Sequence, residues 1–68
     1  MIKAGAEYIH FKGGRYLVLA LAKHSETLED MVVYTALDGD GSVWARPASM
    51  WEEDVGGRPR FAEAKHDN

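Results

Sequence analysis

His24-Ser25-Glu26 places the three side-chain types of a nucleophilic triad in consecutive positions. A working triad needs its base and its orienting carboxylate to converge on the hydroxyl from separate parts of a fold. Neighbours on an extended chain point to opposite sides, so this trio does not assemble on its own. The plainer reading is a turn in which the hydroxyls of Ser25 and Thr27 bond to backbone. His10, His24 and His66 are candidate metal ligands, but no pair has the helical i, i+4 spacing or a compact ligand motif, and cysteine is absent. No metal site and no cofactor is therefore expected. Asp38-Gly39-Asp40-Gly41 resembles the opening of a calcium loop. The glycine arrives before a third oxygen ligand, and Val43-Trp44 resumes a strand, so a hairpin turn is the better reading. The glycines at 13–14, 39, 41 and 56–57 fit neither a dinucleotide fingerprint nor a Walker loop.

Trp44 and Arg46 lie two apart, which puts them on one face of a strand. An aromatic ring beside a guanidinium suits recognition of a carboxylate, a peptide or a base. The competing reading makes Trp44 a core residue, favoured in so small a domain, and pairs Arg46 with a carboxylate such as Glu26. The candidate ligand or partner surface is thus His24, Ser25, Glu26, Thr27, Trp44 and Arg46, with no catalytic residue assigned.

These side chains must be positioned by short strands. Glu7–Lys12 reads as the first, Arg15–Lys23 as the second, Met31–Leu37 as the third, Ser42–Arg46 as the fourth and Arg60–Ala64 as a short fifth. Leucine and alanine in the second run favour helix, but the run has no polar face at helical spacing. Gly13-Gly14 reads as a two-residue primed turn, which would set Phe11 opposite Tyr16 and Ile9 opposite Val18. In that register Ile9, Tyr16 and Val18 share one face, and Tyr8, His10, Leu17, Leu19 and Leu21 share the other. Both faces are largely apolar, so either the sheet bends to cover both or one packs on a second subunit. His24–Asp30 and Val55–Pro59 read as loops, Pro47–Glu53 as a single helical turn, and Lys65–Asn68 as a frayed tail. The fourth strand pairs with the third in a register that sets Arg46 opposite Val33, near the His24–Thr27 loop. Four meandering strands, a helical turn and a closing strand make an all-β, antiparallel, five-stranded SH3-like barrel.

The chain has 68 residues, room for a single domain. With no cysteine, its stability comes from packing or from a partner subunit, and a cytoplasmic setting fits. Lysine and arginine number 8 against 11 acidic residues, and the basic ones are scattered. Non-specific nucleic-acid binding needs a basic patch and is not expected. The start of the chain shows no apolar export segment, and the longest apolar run, Tyr16–Ala22, is too short to span a bilayer. A soluble protein without a membrane role is expected.

The string Tyr8-x-His10-x-Lys12-Gly13-x-x-Tyr16, then His24-Ser25-Glu26-Thr27, Val32-Val33-Tyr34, Trp44-x-Arg46-Pro47 and Pro59-Arg60-Phe61, resembles a family of short bacterial proteins, the domain of unknown function numbered 1653. The resemblance runs from about Gly5 to Phe61. It implies an SH3-like all-β fold and no particular activity, so it carries over no site residue. Ala45 stands where a bulkier apolar residue is usual and Trp51 where phenylalanine is usual. Three functions follow as alternatives. A binding or interaction module, the first choice, requires an exposed aromatic beside an arginine. An enzyme or enzyme subunit requires His24, Glu26 and Arg46 to converge with shifted pKa values. A structural homo-oligomer, such as a homodimer, uses the second apolar face as its interface.

Overall fold

A computed structural model of the chain describes residues 2–64. His66 and the rest of the tail read as frayed lie outside the described residues. Strands β1 (Glu7–His10), β2 (Arg15–Lys23), β3 (Asp30–Ala36) and β4 (Val43–Pro47) precede a single helical turn, α1 (Ala48–Trp51). Two short strands, β5 (Asp54–Val55) and β6 (Arg58–Pro59), and then β7 (Phe61–Glu63) complete the order. The main sheet has five strands in the order β4-β3-β2-β1-β7, each pair antiparallel. The all-β class and the helical turn are as the sequence predicts. The closed barrel is not found: β4 and β7 are opposite edges of the sheet and are not paired with each other. The edges meet through side chains instead, with the Arg46 guanidinium of β4 over the Phe61 ring of β7, 5.7 Å from its centroid.

The expected Gly13-Gly14 turn is where the register departs from expectation. β1 ends at His10, and Phe11–Gly14 form a longer turn in which the Gly13 N–H donates to the His10 carbonyl (2.7 Å) and the His10 N–H to the Gly14 carbonyl (2.8 Å). Tyr8, not Phe11, therefore stands opposite Tyr16, and Ile9 opposite Arg15. The slide is by an odd number of residues, so every side chain of β1 changes face. Tyr8 and His10 now share the inner face with Tyr16 and Val18. The two-residue primed turn occurs later, at Gly56-Gly57, where both residues have positive φ (59° and 87°). It joins β5 to β6 inside the segment read as a plain loop, because only glycine accepts both conformations without strain.

The core is Ile2, Tyr8, Val18, Val32, Tyr34, Trp51 and Phe61. Trp51 is delivered from α1 and stacks on Phe61 with centroids 3.7 Å apart and planes 4° apart. Tyr8 and Tyr34 meet Trp51 edge-on at 5.5 and 4.9 Å. Aromatic contacts of this kind add about 0.5–1.5 kcal/mol each beyond burial. They do for this small chain what disulfides do in others. A register shift between Val18 and Ala20 moves the second half of β2 by one residue, which sets Leu21 opposite the buried Val32. Leu19 and Leu21 are nevertheless 44% and 54% exposed, so the chain does not cover the apolar second half of β2 by bending.

Candidate functional site

The His24–Thr27 loop closes on itself. The His24 ring accepts, at Nδ1, the N–H of Glu26 (3.1 Å) and of Thr27 (3.3 Å). The His24 N–H donates to the Glu29 carbonyl (2.9 Å), and the Leu28 N–H donates back to the His24 carbonyl (2.9 Å). The Thr27 hydroxyl accepts the Glu29 N–H at 3.3 Å, as expected for a hydroxyl-braced turn. With its Nδ1 given to the backbone, His24 is not arranged as a base for Ser25. The loop carries one strained residue, Leu28, with φ of 65° and 68% of its surface exposed. A left-handed conformation costs a branched residue about 1–2 kcal/mol, and glycine avoids this while losing roughly half of the gain to chain entropy. Leu28→Gly should raise the urea midpoint, by up to about 1 kcal/mol of stability.

Arg46 lies elsewhere. In the observed register it stands opposite Val32, not Val33, a slip of one residue that turns its side chain onto the inner face of the sheet. The Glu26–Arg46 pair is not formed, and the enzyme constellation of His24, Glu26 and Arg46 is not brought together. Trp44, opposite Tyr34 on the same face, is 57% exposed and is not a core residue. It overhangs because β4 is an edge strand, with no neighbour beyond it among the described residues. The structure thus keeps Trp44 with Arg46, and His24, Ser25, Glu26 and Thr27 with one another, as two separate groups.

Around Arg46 stand residues outside the candidate surface read from the sequence, among them His10, which the sequence offered only as a metal ligand. Trp51 occupies one face of Phe61, leaving the other to the Arg46 guanidinium. The His10 ring meets Phe61 edge-on at 4.9 Å and lies tilted against Phe11 at 4.5 Å. The Lys12 ammonium sits over Phe11 at 5.7 Å. Arg60 donates from Nη2 to Glu53 Oε1 (2.6 Å), while its buried Nε has no partner among the described residues. His10 protonates below its ordinary value of 6.5, first because of burial and then because of the charges of Arg60, Arg46 and Lys12. The Lys12 N–H donates to His10 Nδ1 (3.1 Å), so the neutral ring carries its proton on Nε2.

The sign of the stability effect follows. The unfolded chain binds this proton more readily than the folded one, so the contribution of His10 is complete above pH 6.5 and is lost as pH falls through the lowered value. The melting temperature should fall on acidification just below pH 6.5, and His10→Gln should flatten that part of the profile. A cleft of about 300 Å³ is lined by Tyr8, Trp51, Phe61, Glu52 and Glu63 among others. It includes none of the sequence-derived candidates. Among the described residues, no three histidine, aspartate or glutamate side chains are grouped to hold a metal ion. No helix of the described residues is long and apolar enough to cross a membrane.

Residues 6–63 match the model of a protein family described as "Protein of unknown function (DUF1653)". No curated protein matches the chain. Among solved structures, the crystal structure of a protein belonging to DUF1653 from Bordetella bronchiseptica is similar, at 38% sequence identity and a TM-score of 0.77, over 97% of this chain and 92% of that one.

Proposed function

We propose that this chain, which belongs to the DUF1653 family, is a single-domain binding or interaction module of the bacterial cytoplasm that captures its ligand on the β4 side of the sheet through Trp44 and Arg46. The observation that carries this reading is an exposed tryptophan at a sheet edge, beside an arginine with no carboxylate partner among the described residues. Tryptophan and arginine are among the residues most enriched where binding energy concentrates. The fold itself does not choose the ligand, since small β domains host many functions. The His24, Ser25, Glu26 and Thr27 loop enters as a flanking contact and not as the partner of Arg46. The bacterial setting is supported by the Bordetella relative, and the cytoplasmic one by the absence of cysteine.

Capture from a bacterial lysate on the immobilised wild-type chain and on Trp44→Ala tests the reading. Trp44 is exposed, so the variant should keep its stability within about 0.5 kcal/mol while recovering a specific partner at least roughly tenfold less well. Equal recovery by both chains contradicts it. A second reading, a homo-oligomer, rests on the uncovered Leu19 and Leu21 of β2, and sedimentation of the wild type beside Leu21→Lys decides it.

A further inference from the structure

Seven lysines and arginines fall within residues 2–64, the eighth being Lys65. Lys3, Arg15, Lys23 and Arg60 are ion-paired with Glu63, Glu7, Asp30 and Glu53. Lys12, Arg46 and Arg58 are not paired with a carboxylate among the described residues. The chain has 11 acidic residues against 8 basic ones, so carboxylates are not in short supply. Two of these three cations, Lys12 and Arg46, belong to one aromatic cluster, and His10 lies between the rings they cover. Burial of His10 and the positive field of Arg60, Arg46 and Lys12 disfavour its charged form. Tyr16, 6.4 Å away, is the other titratable ring against it, and Glu53 is engaged with Arg60.

We propose that this cluster seats an oxyanion, the carboxylate or phosphate group of the ligand, between the Arg46 guanidinium and the His10 ring, and that His10 takes up one proton from solvent as the anion binds. The proposal rests on the reading of Trp44 and Arg46 as a binding surface and names the chemistry of what binds there. Arg46 offers a planar fork of donors, Lys12 a mobile point charge, and the His10 ring its Nε2–H. The Phe61 and Phe11 rings lie beneath these cations and hold them beside the His10 ring. An anion reverses the field that disfavours imidazolium, so the proton becomes favourable once the anion is present. It enters at Nδ1, and that nitrogen then releases the Lys12 N–H it had accepted. By linkage the proton raises anion affinity by the factor by which the anion raises proton affinity, to a limit of about tenfold per pH unit for one proton.

The test follows the His10 imidazole by NMR against pH, on the full chain, in acetate, in sulfate and in chloride at matched ionic strength. Acetate stands for a carboxylate and sulfate for a phosphate, and sulfate keeps its charge across the whole titration. His24, outside the cluster, reports general salt effects. The expected result is an upward movement of the His10 midpoint by about half a unit in acetate or in sulfate and none in chloride, abolished in Arg46→Gln. Should that variant not fold, Lys12→Gln replaces it, with a reduced response expected. A His10 midpoint that moves no more than that of His24 overturns the proposal, as does a response that survives both substitutions undiminished. A silent anion titration with capture still lost in Trp44→Ala overturns this proposal alone. A clear anion response with capture indifferent to Trp44→Ala overturns the binding-module reading alone.

Discussion

Trp51→Ala should strip the chain of a large part of its stability. The indole is 1% exposed and contacts Tyr8, Tyr34 and Phe61 at once. Truncating a buried tryptophan to alanine costs about 3–5 kcal/mol. A chain of 68 residues has roughly 3–10 kcal/mol in total. Trp51→Phe separates packing from polarity. Among the described residues the buried indole Nε1 has no hydrogen-bond partner, a state that costs about 1–3 kcal/mol. Phenylalanine removes that donor while keeping a ring to stack on Phe61, so the gain offsets much of the lost volume. Urea unfolding should place Trp51→Phe within about 1 kcal/mol of wild type and Trp51→Ala far below both. Equal losses for the two would mean that the full indole volume matters and the orphan donor does not.

The second large effect concerns binding. Arg46→Ala should weaken capture of the natural ligand by roughly thirtyfold or more, the loss of about 2 kcal/mol that marks an energetic centre of an interface. Its structural role is smaller. The guanidinium over Phe61 is half-buried and is worth about 0.5–1 kcal/mol. For so short a domain each kcal/mol is about 4–8 °C in melting temperature. The two roles therefore separate by size.

The five strands of the main sheet were legible in the sequence, because β-branched and aromatic runs between glycine turns identify them whatever the pairing, whereas the short β5 and β6 carry no such run and read as a loop. The helical turn after Pro47 was legible for a similar reason, since proline stops the ladder there. Pairing register was not. A Gly-Gly pair serves a two-residue turn at 56–57 and a longer one at 13–14, and the local sequence does not distinguish them. An odd offset then moved Tyr8 and His10 to the inner face, which hid the part His10 plays. A single-residue offset did the same to Arg46 and removed Glu26 as its partner. The exposure of Trp44 depends on β4 being an edge, a property of strand order that no local pattern carries. Tyr8-x-His10 and Tyr16-x-Val18 alternate consistently with a shared inner face, and that was the signal available for His10.

The central claim is that Arg46, with Trp44, belongs to a surface used for binding and not only to the aromatic packing. The most direct measurement is the affinity of the captured ligand for wild type and Arg46→Ala, taken beside the melting temperature of each. The structure predicts a melting temperature lower by a few degrees, about the value of one cation–π contact, and an affinity lower by roughly thirtyfold. A clear loss of stability with unchanged affinity would make Arg46 a clamp between β4 and β7 and would contradict the claim.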